Sequence, residues 1–343
     1  MSYTVTNLDA AKRLKPELIL QVLGGVKAPE TEMLQNVFKN KKNVNGSTVS
    51  REIVTRTIKA IPFVGQKNPG VVLNGKTILA EGITTPPMKA HVRIEASDFM
   101  KAKELRDKDY RAWLADELAY VKDTIAWNRE WFARHFLTTG NCDYAFLVDG
   151  VYQALTYSLG TMTAVAGPPS VLFDAASAKL TDVIKHLDLM YKTGQDVPNR
   201  NHFQNKDAVI TYARTDVWNA IFDIIDGKLS TSSVPGRRLN QDDLEVGSWI
   251  VRKFDARIVD PETQAEGFAI PVKRMRMVDT GRSAPHTMAN LEIENLKATG
   301  GQKHVFVLPL VDPGGEYVDI MVQHRPVGMF IPEAMVDSDA VIS

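Results

Sequence analysis

Cysteine is nearly absent from this 343-residue chain: Cys142 stands alone, so no disulfide can close within it. The fold must work in a reducing compartment or without regard to redox state. No apolar run reaches the roughly 18 residues of a membrane-spanning helix. The opening MSYTVTNLDAAKRLK also lacks a hydrophobic core of signal-peptide length. The expectation is a soluble cytoplasmic product with no membrane partner. Net charge is missing as well, with 41 Lys+Arg against 41 Asp+Glu. A dedicated nucleic-acid binder uses a surplus of cations to displace counterions, and none exists globally. The charge is unevenly placed, however. Residues 1–60 lean basic through Lys39, Lys41, Lys42, Arg51, Arg56 and Lys59, whereas from Asp312 onward Arg325 alone faces six acids.

Catalytic signatures are equally scarce. GxSxG, HExxH, GxGxxG and CxxC do not occur, and the seven histidines (91, 135, 186, 202, 286, 304, 324) show no metal-ligand spacing. His135 and His186 read as satisfied surface or boundary residues. Asp242-Asp243 and Asp337/Asp339 read as solvated loop carboxylates, and Arg237-Arg238 as part of a solvated loop. No catalytic residue, metal or cofactor is expected. One literal motif stands against this: Gly70 to Thr77 matches the phosphate-loop pattern GxxxxGK[ST], and Ala145–Asp149 resembles the apolar run whose aspartate holds magnesium. That chemistry needs a helix N-terminus directly after Lys76-Thr77. Val71 and Val72 favour extended backbone instead, and Gly82 and Pro86 follow too closely for a helix to form.

The same residues fit a hairpin. VVL and TIL flank Asn74-Gly75, a pair that tolerates the positive φ of a type I′ turn. Residues 49–94 therefore read as extended, with Phe63, Val71, Val72, Asn74, Gly75, Lys76 and Ile78 on a projecting arm. An isolated hairpin is marginal in water, so an arm of this size calls for another subunit beneath it. A long amphipathic helix follows over 107–137. Tyr110, Leu114, Leu118, Val121, Ile125 and Phe132 recur near the 3.6-residue period. A neighbouring stripe, Trp113, Tyr120, Trp127 and Trp131, reads as a widening of the packed face. Asp107–Arg111, Glu104–Lys108 and Glu130–Arg134 are i,i+4 acid-before-base pairs, and Gly140 ends the helix.

Downstream, strands are expected at 144–148, 151–159, 208–212, 249–254, 256–259, 268–272, 304–310 and 317–324. Helices are expected at 175–191 and 215–226, after shorter ones at 9–23 and 30–38. Without a regular βαβ rhythm, the class is α+β rather than a doubly wound sheet.

Taken in order, these pieces resemble tailed-phage major capsid proteins of the HK97-type fold, most closely the lambda-like capsid protein E family. The carrying segments are IPFVGQKNPGVVLNGKTILAEGITTPPMKAHVRIEASDF, LTTGNCDYAFLVDGVYQALTYSLG, VLFDAASAKLTDVIKHLDLMYKTGQD with AVITYARTDVWNAIFD, and VDIMVQHRPVGMFIPEAMVD. The resemblance implies an N-terminal arm (1–48), an extended hairpin loop (49–95), a peripheral domain with a spine helix (96–165 and 282–325) and an axial α/β domain (166–281 and 326–343). It further implies self-assembly as hexamers and pentamers into an icosahedral head around double-stranded DNA, in a virion assembled in the host cytoplasm. The implied partners are a portal, a separate scaffold and a decoration protein. Some relatives cross-link Lys to Asn with a Glu as base, for which Asn74, Lys76 and Glu81 are present. An encapsulin-like compartment and a phosphate-loop nucleotide-binding protein are the competing readings.

Overall fold

A computed structural model of the chain describes residues 14–26, 31–46, 49–52, 80–83, 85, 87–148, 151–157, 160–197, 202–227, 236–259, 263, 265–281, 286–293, 304–312 and 314–343. Its organising element is one helix, Asp107–Thr139, of 33 residues and about 50 Å. Asp107 and Asp109 sit in its first turn, where carboxylates complement the exposed N–H groups. At its other end Gly140 adopts φ 72° and its N–H returns to the Phe136 carbonyl, a left-handed cap that favours glycine.

The two halves of this helix serve different cores. Along the N-terminal half, Tyr110, Leu114, Leu118, Val121 and Ile125 pack with Leu14, Ile19 and Leu23 around the short helix Pro16–Gly25. The same core takes Ile94, Val307, Val318, Ile320 and Val322 from an antiparallel sheet ordered Val305–Val311, Tyr317–His324, Met88–Glu95. Val318, Ile320 and Val322 point inward at period two, as one covered sheet face requires. Along the C-terminal half, Phe132, Ala133, Phe136 and Leu137 meet Met33, Phe38, Met288 and Phe330. Phe136 stacks on Phe330 at 4.9 Å, and Phe38 meets Phe330 edge-on at 4.9 Å. A small sheet, Asn40–Asn43 parallel to Thr287–Asn290 and the latter antiparallel to Pro326–Met329, ties the N-terminal segment to this region.

The remaining core belongs to a seven-stranded mixed sheet ordered Thr163–Ala164, Met335–Ser338, Met275–Asp279, Val209–Ala213, Trp249–Lys253, Asp243–Val246, Gly236–Arg238. Both faces are covered. Val209, Ala213, Met275, Met277 and Val336 face the helices Leu180–Gln195 and Thr215–Asp226, while Tyr212, Val278 and Met335 face the long-helix core. The edge strands are the shortest, of two and three residues.

Several expected boundaries move. The helix expected at 175–191 spans Leu180–Gln195, where Lys179 N–H bonds Asp182 at 3.0 Å to set the start. It continues through Gly194, against which the Phe203 ring lies. The strand expected at 268–272 is Glu266–Phe268, paired with Arg257–Val259. Met275–Asp279 forms a further strand, which the sequence pattern does not mark. The resulting class, mixed α+β, is the one the sequence implied.

Candidate assembly surfaces

The two ends of the segment expected to form the arm meet in one strand pair. Strands Val49–Glu52 and Ala80–Ile83 pair antiparallel, Val49 opposite Ile83 and Glu52 opposite Ala80. The arm residues Phe63, Val71, Val72, Asn74, Gly75, Lys76 and Ile78, with the rest of Gly70–Thr77, lie outside the described residues. Where the chain returns, Thr85 Oγ1 donates to the Pro326 carbonyl at 3.1 Å and Arg325 Nε donates to the Thr85 carbonyl at 2.9 Å. Arg325 also donates from Nη1 to the Glu292 carbonyl at 3.2 Å. A buried guanidinium thus bonds backbone of two loops to the end of the three-stranded sheet. Farther along that sheet, Arg93 grips Asp319 by two bonds of 3.0 and 3.2 Å, and its guanidinium carbon lies 3.8 Å from the Tyr317 ring centroid.

The N-terminal segment is held by Glu130. This side chain is fully buried and accepts the N–H groups of Met33 and Leu34 at 3.1 and 3.2 Å, capping the short helix Glu32–Asn36. It also takes Arg134 Nε at 3.4 Å. The i,i+4 spacing identified the second contact, but not the first, which joins distant parts of the chain.

On the long helix, Tyr110, Leu114, Leu118, Val121, Ile125 and Phe132 are buried and Trp113 is partly buried. Trp127, expected on the packed face, instead keeps 49% of its surface exposed, and Tyr120 in the same stripe keeps 77%. Seven residues apart, the two share one face. The packed arc is narrower than the aromatic pattern implied because the seam selects the 110–114–118–121–125 line. Arg134 lies 5.3 Å from the Trp127 ring, covering part of it.

In the region of the seven-stranded sheet, charge is organised rather than solvated. Asp243, expected in a solvated loop, is buried and gripped by Arg252 at 2.6 and 3.0 Å; Arg252 also reaches Glu32 at 2.6 Å. Burial pushes the Asp243 carboxyl up, but the bonds from Arg252 and Asn240 outweigh it and hold it below the usual carboxylate range. These groups line an open cleft of about 840 Å³ with Asp242, Lys253 and Asp255. Asp337, also expected to be solvated, is buried beneath Arg276, whose Nε lies 2.9 Å from Oδ1, and is bonded by Arg274 at 2.9 Å. Burial raises the Asp337 carboxyl and lowers the Arg276 guanidinium to about 10. Desolvation here outweighs the pairing. Arg237 pairs with Glu245, and Arg238 donates to the Asn240 and Gln241 carbonyls. His135 and His186 are buried, not at the surface; His186 Nε2 lies 2.6 Å from Ser338 Oγ. Among the described residues, no three His, Cys, Asp or Glu side chains are grouped to hold a metal ion, and no helix is long and apolar enough to cross a membrane.

Residues 19–158 match the family model described as phage major capsid protein E. Among solved structures, the chain is similar to a prophage protein from E. coli CFT073 described as a capsid protein, with 14% identity, 96% of this chain and 99% of that chain covered, and a TM-score of 0.61. It is also similar to a phage-related protein from Bordetella bronchiseptica RB50, with 10% identity, 95% and 97% coverage, and a TM-score of 0.52. At such identities the likenesses show the fold alone. No curated protein matches the chain. The capsid family model covers residues 19–158, under half of the chain, and the two solved structures share its fold. Over that stretch the chain is similar to phage major capsid protein E. The phosphate-loop reading of Gly70–Thr77, which falls within the matched stretch, is not favoured.

Proposed function

We propose that many copies of this chain assemble as hexamers and pentamers into an icosahedral phage head around double-stranded DNA. In this reading the segment 49–95 is the arm that lies over a neighbouring copy. Residues 96–165 and 282–325 form the peripheral domain, and 166–281 with 326–343 the axial domain, whose loops 195–206 and 228–241 face the capsomer axis. Residues 1–48 form the N-terminal arm. The observation that carries the reading is the paired base of the arm. Strands 49–52 and 80–83 start and end the arm at one point, and Arg325 and Thr85 fix the return beside it. A projection anchored so firmly at its root is suited to bear load between subunits. The exposed Tyr120 and Trp127 on the long helix supply a second apolar contact surface.

The chain acts as a structural protein rather than a catalyst. Its further partners are a portal, a separate scaffold and a decoration protein, with assembly in the host cytoplasm. The near-neutral charge suits a wall that must release its DNA. Electron microscopy of the purified protein tests the reading: shells, tubes or capsomers are expected. A monodisperse monomer under all assembly conditions, with scaffold present, would overturn it. Nucleic-acid content of the particles separates a DNA-filled head from an encapsulin-like compartment. A covalent Lys76–Asn74 ladder on a denaturing gel would add cross-linking, and a single monomer band would remove it.

A further inference from the structure

Three lysines stand together on the strand Asn40–Asn43 and the residue just before it. Successive strand side chains alternate sides, so Lys41 and Lys42 point to opposite faces, yet both are exposed, as is Lys39. Every side chain from Lys39 to Asn43 is exposed and none is apolar. The strand is the edge of its small sheet. Thr287–Asn290 pairs with it on one side, and among the described residues no strand covers the other. Among the described residues none of the three lysines pairs with a carboxylate. The acids that serve this segment are all engaged inward. Glu32 bonds Arg252 and Tyr212, Glu130 accepts the Met33 and Leu34 amides, and Glu292 accepts the Gly46 amide at 2.8 Å.

An edge strand wet on both faces and without apolar side chains is a poor seat for another protein. Such contacts centre on a buried apolar patch from which lysine is depleted. It is equally ill-suited to a lipid surface, where an anchoring segment inserts apolar side chains. A phosphate backbone needs only unpaired ammonium groups at the surface: each replaces a condensed counterion, and no pocket is required. Asn43, whose Oδ1 accepts from Asn290 at 3.0 Å, keeps its own amide N–H groups as further donors. The chain as a whole carries no net charge, so this strip is a local departure that would hold a duplex loosely and without regard to sequence. We propose that Lys39, Lys41 and Lys42 form a contact strip for the phosphate backbone of double-stranded DNA. The inference deepens the phage-head reading and rests on it for which duplex meets the strip.

Fluorescence anisotropy of a labelled duplex of arbitrary sequence, titrated with the unassembled full-length chain, tests the strip. With three phosphate contacts at about 0.9 counterions each, affinity should fall about 40-fold between about 50 and 200 mM salt. Lys39→Gln, Lys41→Gln and Lys42→Gln together should abolish this binding, and Lys41→Gln alone should make the salt slope shallower by about 0.9. Exposed sites of this kind tolerate substitution. Lys108→Gln, which changes an exposed lysine of the long helix, is the control and should bind as the parent does. No binding by the parent, or equal binding by the triple variant, would overturn the strip. Tighter binding of poly-glutamate than of duplex at equal ionic strength would overturn DNA as its partner and assign it to an acidic protein. In purified particles, acetic anhydride should modify the three lysines more slowly when DNA fills the shell than after it is emptied, as read by mass spectrometry. Equal rates would remove the packaged duplex as the occupant. Failure of the head reading would register separately, as absence of particles in the microscope, and leaves the duplex titration unaffected.

Discussion

The Glu130 carboxylate accepts the backbone N–H of Met33 at 3.1 Å although the two residues lie 97 apart in sequence. It also accepts Leu34 N–H, so one buried side chain of the long helix satisfies two of the donors that begin the helix Glu32–Asn36. Glu130→Ala should leave both amides buried without acceptors, at a cost of about 1–3 kcal/mol each at most. Chemical denaturation of the unassembled chain would show the loss, and limited proteolysis should cut first near residues 31–46. Unchanged stability and unchanged cleavage would mean the cap contributes nothing.

Arg276 and Asp337 are expected to respond unequally. Asp337→Asn leaves Arg276 buried with its main countercharge gone, whereas Arg276→Met leaves Asp337 still bonded to Arg274. Breaking a buried pair by removing one partner costs about 3–5 kcal/mol, and Asp337→Asn should fall in that range with Arg276→Met below it. Equal losses in urea melts would contradict the geometry.

Acid should weaken the subunit through its buried histidines. Burial lowers His186 to about 4, and burial with Arg129 lowers His324 to about 3, from an unfolded value near 6.5. Because the folded-state values are depressed, this stability is fully present above pH 6.5 and drains away as pH falls toward 4 and 3. His186 alone accounts for about 3 kcal/mol over that window. His186→Phe should lose less stability than wild type between pH 7 and pH 4.5, measured by denaturant titration. Parallel curves for the two proteins would disprove it.

How much of this was legible in the residues differs by element. The long helix, its glycine stop and the outer strands announced themselves, because a helix or sheet with one wet face writes its period into the sequence. Met275–Asp279 did not. Lys273, Arg274 and Arg276 break its apolar run, yet the strand sits in the middle of a sheet covered on both sides, with Arg276 neutralised by Asp337 from the neighbouring strand and Asp279 accepting the Phe203 N–H at 2.6 Å. Nothing local reveals a charge whose partner arrives 61 residues later. For the same reason the i,i+4 spacing marks Glu130 only as the partner of Arg134, not as the cap of Met33 and Leu34. Tyr120 and Trp127 differ from the pattern because an aromatic stripe in sequence looks alike whether its rings are packed or exposed.

Tyr120→Ser and Trp127→Ala test whether this exposed face makes contacts between subunits. Surface substitutions away from buried partners usually change stability by under about 0.5 kcal/mol, so the unassembled chain should melt nearly as before. Particle yield should drop, and the Trp127 emission of the parent should shift to shorter wavelength as shells form. Full yield from both variants would remove this face from the contacts.

Deleting residues 66–79 leaves the paired strands at the arm base in place. The subunit should keep its circular dichroism and melting behaviour while particles become fragile or fail to close. Normal, heat-stable particles from the shortened chain would refute the assigned role of the arm.

The seven-stranded sheet terminates in ribbons of only two and three residues, one of them carrying Arg237 and Arg238. Such stubs offer almost no unpaired backbone for a stranger's strand to zip onto. A chain that works in crowded contact with its own copies, as proposed, gains from that bluntness: its neighbours are steered to side-chain contacts and away from the endless fibres that open β-edges invite.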